Sequence, residues 1–227
     1  VVVAGLLGAL RITGQSLSDQ RVLFAGAGAS THGISHLIMA AMIDEGLTPE
    51  EARRRIWMVD SRGLVTEERK GLEDFKAICA RSVAEIDTYT CADRSRITLE
   101  EAVKNARPTI LLGTSGTPGV FTESIVSDMA HFNERPIIFP LSNPTSKSEC
   151  VPEDAIRWSG GRAILATGSP FDPVTYEGRH YRIGQGNNAF LFPGVGLGVW
   201  VGGIGRVTDR MFLEAARALA AKVEPDK

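Results

Sequence analysis

Three glycines in Val22-Leu23-Phe24-Ala25-Gly26-Ala27-Gly28-Ala29-Ser30-Thr31-His32-Gly33 are spaced G-x-G-x(4)-G behind a short apolar run. An amphipathic stretch follows, with Ile34, Leu37, Ile38, Ala41 and Met42 at helical spacing. Strand, tight turn and helix in that order can cradle a dinucleotide pyrophosphate. Glycines let the backbone approach the phosphates, and the free N–H groups of a helix amino terminus face the negative charge. Gly26, Gly28, Ala29, Ser30 and Gly33 are the candidates for that contact.

Asp60 closes a second apolar run, Ile56-Trp57-Met58-Val59, twenty-odd residues further on. An acid there can accept hydrogen bonds from an adenosine ribose, although it also suits a strand-end turn before Gly63. Ser61, Arg62 and Lys76 stand near the same point. Arg62 and Lys76 could supply charge-assisted hydrogen bonds to a 2′-phosphate; by spacing alone they are equally ordinary surface charges.

Small polar residues then recur just past apolar runs: Gly113-Thr114-Ser115-Gly116, Ser142-Asn143-Pro144-Thr145 and Thr167-Gly168-Ser169-Pro170. Ligands in open α/β sheets bind outside the carboxyl ends of the strands, so three such strand ends in succession read as one ligand edge. Gln185-Gly186-Asn187-Asn188 offers two adjacent amides that could hold a carboxylate or carboxamide, but by pattern alone a hairpin or a bulge is the better reading.

The elements that must position these residues alternate. Strands are expected at Val22–Ala25, Ile56–Val59, Thr109–Leu112, Ile137–Leu141 and Ala163–Ala166. Helix starts are marked by the capping boxes Thr48-Pro49-Glu50-Glu51 and Thr98-Leu99-Glu100-Glu101, by Thr122 before Glu123–His131, and by Val151-Pro152-Glu153. A last helix is expected over Thr208–Lys222. Near-continuous apolar strands alternating with helices predict an α/β fold: Rossmann-like, doubly wound, with a mainly parallel sheet and helices on both faces. The glycine-rich stretch 184–205 carries Phe190, Leu191, Phe192, Val195, Leu197, Val199 and Trp200, which predicts packed backbone with small residues at close contacts.

The 227 residues can bury a sizeable core. A net charge of −2 gives no broad basic surface for nucleic acid. The three cysteines are odd in number and lack metal-site spacing, as expected of free thiols in a reducing, cytoplasmic compartment. His32 and His36 are four apart with no acid between them and no third ligand in sight, which argues against a zinc site. Val1–Leu10 is apolar but too short to span a bilayer, and it lacks the basic start of a signal peptide. The chain reads as a fragment.

Taken in order, these stretches resemble the cofactor-binding domain of the malic enzymes. The carrying residues are Ala4–Leu10, Gly26–Gly33, Val59–Leu64, Leu112–Gly116 with Gly119–Glu123, Pro140–Cys150, Ala166–Phe171, Gly184–Gly198 and Thr208–Phe212. The resemblance implies that the whole of residues 1–227 is one dinucleotide-binding domain, the catalytic domain lying outside it. The implied reaction is oxidation of (S)-malate with NAD or NADP, then Mg²⁺- or Mn²⁺-assisted decarboxylation to pyruvate. Gly26, Gly28 and Gly33 would hold the pyrophosphate and Asp60 the ribose. Ser115 and Gly116 would line the cleft, and Asn143 and Asn188 would contact substrate or the nicotinamide end. Catalytic residues and metal ligands are expected outside this chain. Ser61-Arg62 and Lys76 resemble NADP-using members, so NADP is expected over NAD. Thr31 and His32 depart from the family's turn; a β-branched Thr31 is expected to loosen helix–strand packing or shift the pyrophosphate, and His32 could lie over a phosphate. Family members are dimers or tetramers, and an isolated chain is expected to expose the apolar face of Val1–Leu10 and associate. Malolactic enzyme, or a non-catalytic dinucleotide-binding module, are the alternative readings.

Overall fold

The computed structural model describes residues 1–222; the last five residues of the expected 1–227 unit lie outside the described residues. In chain order the first elements are α1 (Val2–Thr13), β1 (Val22–Ala25), α2 (Ala29–Asp44), α3 (Pro49–Arg54), β2 (Ile56–Asp60), β3 (Gly63–Leu64), α4 (Asp74–Ile78), α5 (Val83–Ile86) and α6 (Leu99–Ala106). Then follow β4 (Ile110–Gly113), α7 (Glu123–Phe132), β5 (Ile137–Pro140), α8 (Pro152–Trp158) and β6 (Ile164–Thr167). The chain continues through β7 (Val174–Tyr176), β8 (Arg179–Tyr181), β9 (Gly184–Gln185), α9 (Phe192–Val201) and α10 (Asp209–Ala220).

Seven strands form one sheet in the order β3-β2-β1-β4-β5-β6-β9. All neighbours are parallel except β3, which turns back on β2. The chain leaves β1 for β2 on one side and returns to β4 on the other, so the strand order reverses between β1 and β4. That reversal opens a crevice at the carboxyl ends of the two strands. The expected strands are all present, shifted by a residue at some ends. The two-residue β3 and β9 and the β7–β8 hairpin were not among them. Each is too short to show a period, and β3 and β9 are set by pairing with β2 and β6.

Alternation along each strand feeds two cores. Val22, Phe24, Ile56, Met58, Ile110 and Leu112 point to the layer containing α1, α2 and α10. Leu23, Ala25, Trp57, Val59, Leu111 and Ile138 point to the layer of α6, α7 and α8. Helix starts are set by the residues expected to set them. Thr48 with Glu51, and Thr98 with Glu101, form complete capping boxes on α3 and α6. Thr122 and Thr208 accept from the third backbone N–H of α7 and α10.

Two expectations need correction. The apolar face of Val1–Leu10 is not exposed: as α1 it buries Val3, Ala4, Leu6, Ala9 and Leu10. Its partner comes from the far end of the chain, where α10 buries Leu213, Ala216 and Ala220, and Arg11 Nη1 donates to Ala220 O at 2.9 Å. Conversely, the glycine-rich stretch packs as expected only at its start, where a side chain at Gly184 would meet Ala166 at 3.2 Å and one at Gly186 would meet Leu141 at 3.1 Å, whereas α9 is largely uncovered. Phe192, Trp200 and Val201 in α9 are 75%, 80% and 75% exposed, and no heavy atom lies within 4 Å of where a side chain at Gly194, Gly196 or Gly198 would begin.

Because Leu6 is fully buried, Leu6→Ala is expected to cost about 2–5 kcal/mol, read as a lower urea midpoint at unchanged slope. A loss below about 1 kcal/mol would mean that α1 is peripheral.

Candidate cofactor-binding cleft

The turn after β1 depends on Gly26. Its φ is +121°, its N–H donates to Val59 O at 2.7 Å, and a Cβ would lie 2.6–2.7 Å from Thr114. Only glycine fits. Two residues later Gly28 takes the N-cap of α2, with no side chain capping the helix and no acid in its first turn. Gly28, Ala29, Ser30 and Gly33 are all exposed, and a side chain at Gly28 or Gly33 would meet nothing within 4 Å. The amino end of α2 is therefore a cradle of uncommitted N–H groups that a side chain at position 28 would fill.

Thr31 does not loosen this turn. It is fully buried, and its hydroxyl donates to Gly26 O at 3.0 Å and meets Thr114 Oγ1 at 2.7 Å. The branched side chain thus ties the glycine turn to the end of β4. His32 faces outward from the same turn, 4.8 Å from the Phe75 ring between ring centres.

At the end of β2, Asp60 is not a free carboxylate. Arg69 Nη1 grips both its oxygens at 2.8 and 2.9 Å, and the Arg62 N–H donates at 2.9 Å. Arg69 also donates to the Gly63 and Leu64 carbonyls, so one guanidinium closes the β2–β3 turn. Burial works to raise the Asp60 carboxyl, but the bonds from Arg69 and Arg62 and the charges of Arg69 and Lys76 hold it below its ordinary value. Lys76 pairs with Glu73 at 2.6 Å. Ser61 and Arg62 are exposed.

The remaining strand ends meet around Glu149, which is fully buried. One oxygen accepts from Ser115 N at 2.8 Å, Ser115 Oγ at 3.0 Å and Ser142 Oγ at 2.5 Å; the other accepts from Ser142 N at 3.3 Å. Ser142 Oγ in turn accepts from Gly116 N at 2.9 Å. Gly113 leaves the space this carboxylate needs: a Cβ there would lie 2.4 Å from the Glu149 carboxyl carbon. Beside this lock Asn143 accepts from Ser169 Oγ at 2.5 Å and donates to Leu141 O at 3.3 Å. Its outer face is exposed.

The structure thus gathers Gly26, Gly28, Ala29, Ser30, Thr114, Ser115, Gly116 and Asn143 along one edge, with Asp60, Ser61, Arg62 and Lys76 at its β2 end. Gln185-Gly186-Asn187-Asn188 is neither hairpin nor bulge. It continues from β9, parallel to β6, and carries Asn188, exposed, to that same edge. Glu149 and Arg69 were not among the residues chosen from sequence. Glu149 left a faint signal, an acid among small residues between a strand end and a helix start. Arg69, in an irregular charged stretch, left none.

The three cysteines are free; burial pushes the Cys79 thiol up to about 11 and Cys150 up to about 12, so neither is a thiolate near neutrality. Among the described residues no three His, Cys, Asp or Glu side chains converge to hold a metal ion, and no helix is long and apolar enough to cross a membrane.

Two outcomes are expected. Glu149→Gln places an amide donor among four donors, so it should destabilise the chain by about 1–3 kcal/mol in urea unfolding. Because native contacts depress the Asp60 carboxyl, its ion pair contributes stability that is complete above the unfolded value near about 4 and is lost as pH falls through the lower folded value. Asp60→Asn should flatten that part of the stability-against-pH curve; an unchanged curve would mean that the pair contributes nothing.

The NAD-binding domain model of malic enzyme matches residues 1–227. The chain is 50% identical over 220 residues to an NAD-dependent malic enzyme of Sodalis glossinidius, covering 97% of the chain and 39% of that protein. It is also 50% identical over 224 residues to an NADP-dependent malic enzyme of Rattus norvegicus, covering 98% and 37%. The crystal structure of malic enzyme from Pyrococcus horikoshii superposes with a TM-score of 0.71 at 27% identity, over 99% of this chain and 46% of that one. The chain therefore spans less than half the length of these relatives. With a doubly wound sheet, a glycine cradle at its switch point and a family match from end to end, the chain belongs to the NAD-binding domains of the malic enzymes.

Proposed function

We propose that this chain binds NAD(P) across the carboxyl edge of its sheet, as the cofactor-binding part of an enzyme that converts (S)-malate to pyruvate and CO₂. The observation that carries this reading is the uncapped, acid-free amino end of α2 facing open space beside Gly28. It suits a pyrophosphate, whose charge the N–H groups and helix dipole stabilise. NAD(P)⁺, when bound, accepts hydride from C2 of malate. The chain's own work is to bind and orient. Ser115 and Gly116, held by Glu149 and Ser142, wall the cleft. Asn143, fixed by Ser169, and Asn188 present uncharged amides to the substrate carboxylate or the carboxamide end of the cofactor.

The adenosine end favours NADP. A bare carboxylate at the end of β2 would repel a 2′-phosphate. Here Arg69 compensates Asp60, Arg62 stands exposed in the same turn, and Lys76, paired with Glu73, is close enough for its charge to act on Asp60.

Catalytic residues and ligands for Mg²⁺ or Mn²⁺ would come from the remainder of the enzyme; the metal's contribution would be to polarise the carbonyl and stabilise the enolate. That remainder also suits α9, which is apolar on all sides yet exposed, a surface that requires a covering partner. The whole enzyme would be a cytoplasmic homo-oligomer acting on a small-molecule substrate, and the isolated chain would bind cofactor without turnover.

Calorimetric titration of the chain with NADP and NAD tests this. Gly28→Val, which fills the cradle, should weaken both by about tenfold or more. Arg62→Gln or Lys76→Gln should weaken NADP about tenfold, the worth of one charge-assisted bond, and leave NAD unchanged. Binding indifferent to Gly28→Val would remove the cradle from the site, and NADP binding indifferent to both cation variants would remove the NADP preference.

A further inference from the structure

The opposite, amino-terminal edge of the sheet carries a second concentration of polar chemistry, which the cofactor cleft does not use. Arg55 directly precedes β2, Arg21 directly precedes β1, and Arg107 stands just before β4. These strands are neighbours in the sheet, and their entries are stitched together. Val22 N donates to Arg55 O at 2.8 Å, and Thr109 N and Ile110 N donate to Arg21 O at 2.9 and 3.1 Å. Arg21 N donates to Thr109 Oγ1 at 2.9 Å. The backbones of Arg55, Arg21 and Thr109 therefore lie one strand spacing apart, about 5 Å. Arg107 is held at the edge by a left-handed backbone, φ 45°, and its guanidinium lies 5.3 Å from the Phe132 ring centre.

Among the described residues none of these three arginines has an ion-pair partner. Glu51, the carboxylate that feels Arg55, is already occupied by the Thr48 N–H and hydroxyl. Arg21 Nε is buried with no hydrogen-bond partner. Such an atom keeps its desolvation cost unless an acceptor reaches it. Burial first, then the charges of Arg55 and Arg107, hold the Arg21 guanidinium below its ordinary value, so both neighbouring cations act against the charge on Arg21. The carbonyl end of α6, just before Arg107, supplies only partial negative charge. Three guanidinium-bearing residues at adjacent strand entries, one of them with a buried, unmet N–H, are the chemistry that recognises a tetrahedral, multiply charged oxyanion.

We propose that Arg21, Arg55 and Arg107 form a binding site for a phosphate-class anion at the amino-terminal edge of the sheet, at the end of the strands opposite the cofactor cleft. A ligand seated there would relieve the repulsion at the entries of β1, β2 and β4, the same strands whose far ends frame the glycine cradle.

The probe is inorganic pyrophosphate, titrated by calorimetry into the Gly28→Val chain, in which the cofactor cradle is filled. The same titration is made with Arg55→Gln or Arg107→Gln added, circular dichroism showing each variant folded. Arg107 is exposed, so its replacement leaves the core intact. One equivalent of pyrophosphate should bind Gly28→Val, about tenfold more weakly after either arginine is removed. Arg55→Lys, which keeps the charge but not the fork, should recover part of the loss. ATP in a second arm distinguishes a nucleotide from a free phosphate by whichever binds tighter. No binding to Gly28→Val, or equal binding to all the variants, would overturn the proposal.

Discussion

The ligand edge at the ends of β4 and β5 depends on the burial of one carboxylate. Removing Glu149 from water costs several kcal/mol unless its oxygens are hydrogen-bonded. Here two backbone N–H groups and two hydroxyls, from the ends of β4 and β5, satisfy it. The penalty for an unmet carboxylate thereby becomes a constraint on two loops. Ser115 and Ser142 cannot move apart without leaving it unpaired. Gly113 is small because Glu149 occupies the space beside it. Gly116 and Asn143, which present the edge outward, are the neighbours of the two serines.

A second lock shares the same strand end. Thr114 turns to the other side and meets Thr31 and the Gly26 turn, whereas Ser115, the next residue, turns to Glu149. The end of β4 therefore joins both walls of the crevice where the strand order reverses. At the outer end Arg69 does comparable work for β2, compensating Asp60 and closing the turn to β3. Each of these ties uses a charged or hydroxyl group at a position where an apolar side chain could not set a loop's direction. The crevice can accordingly hold its shape while its outward faces remain free for a ligand.

Much of this was legible in the sequence. The apolar runs before Gly26, Asp60, Gly113 and Ser142 are strands, and Thr48, Thr98, Thr122 and Thr208 start helices, because both signals are local. The glycine cradle and the succession of polar strand ends followed from where those runs stop. What was not legible depends on contacts distant in sequence. Nothing in Val1–Leu10 says that α10 will cover it, and nothing around Glu149 says that its partners lie at Ser115 and Ser142. The branching of Thr31 is local, but the partners of its hydroxyl, Gly26 and Thr114, are set only by the fold. The apolar residues of α9 were expected inside because composition reports a demand for burial, not whether this chain meets it.

The ties to Glu149 and Ser142 organise the ligand edge before any ligand arrives. Amide hydrogen exchange of the cofactor-free chain tests this most directly. The amides of Ser115, Gly116 and Ser142, which donate to Glu149 and Ser142, should be protected to an extent comparable with the strand amides of β4 and β5. Exchange of those three amides at the rate of open loops, with protection gained only on adding NAD(P), would contradict it.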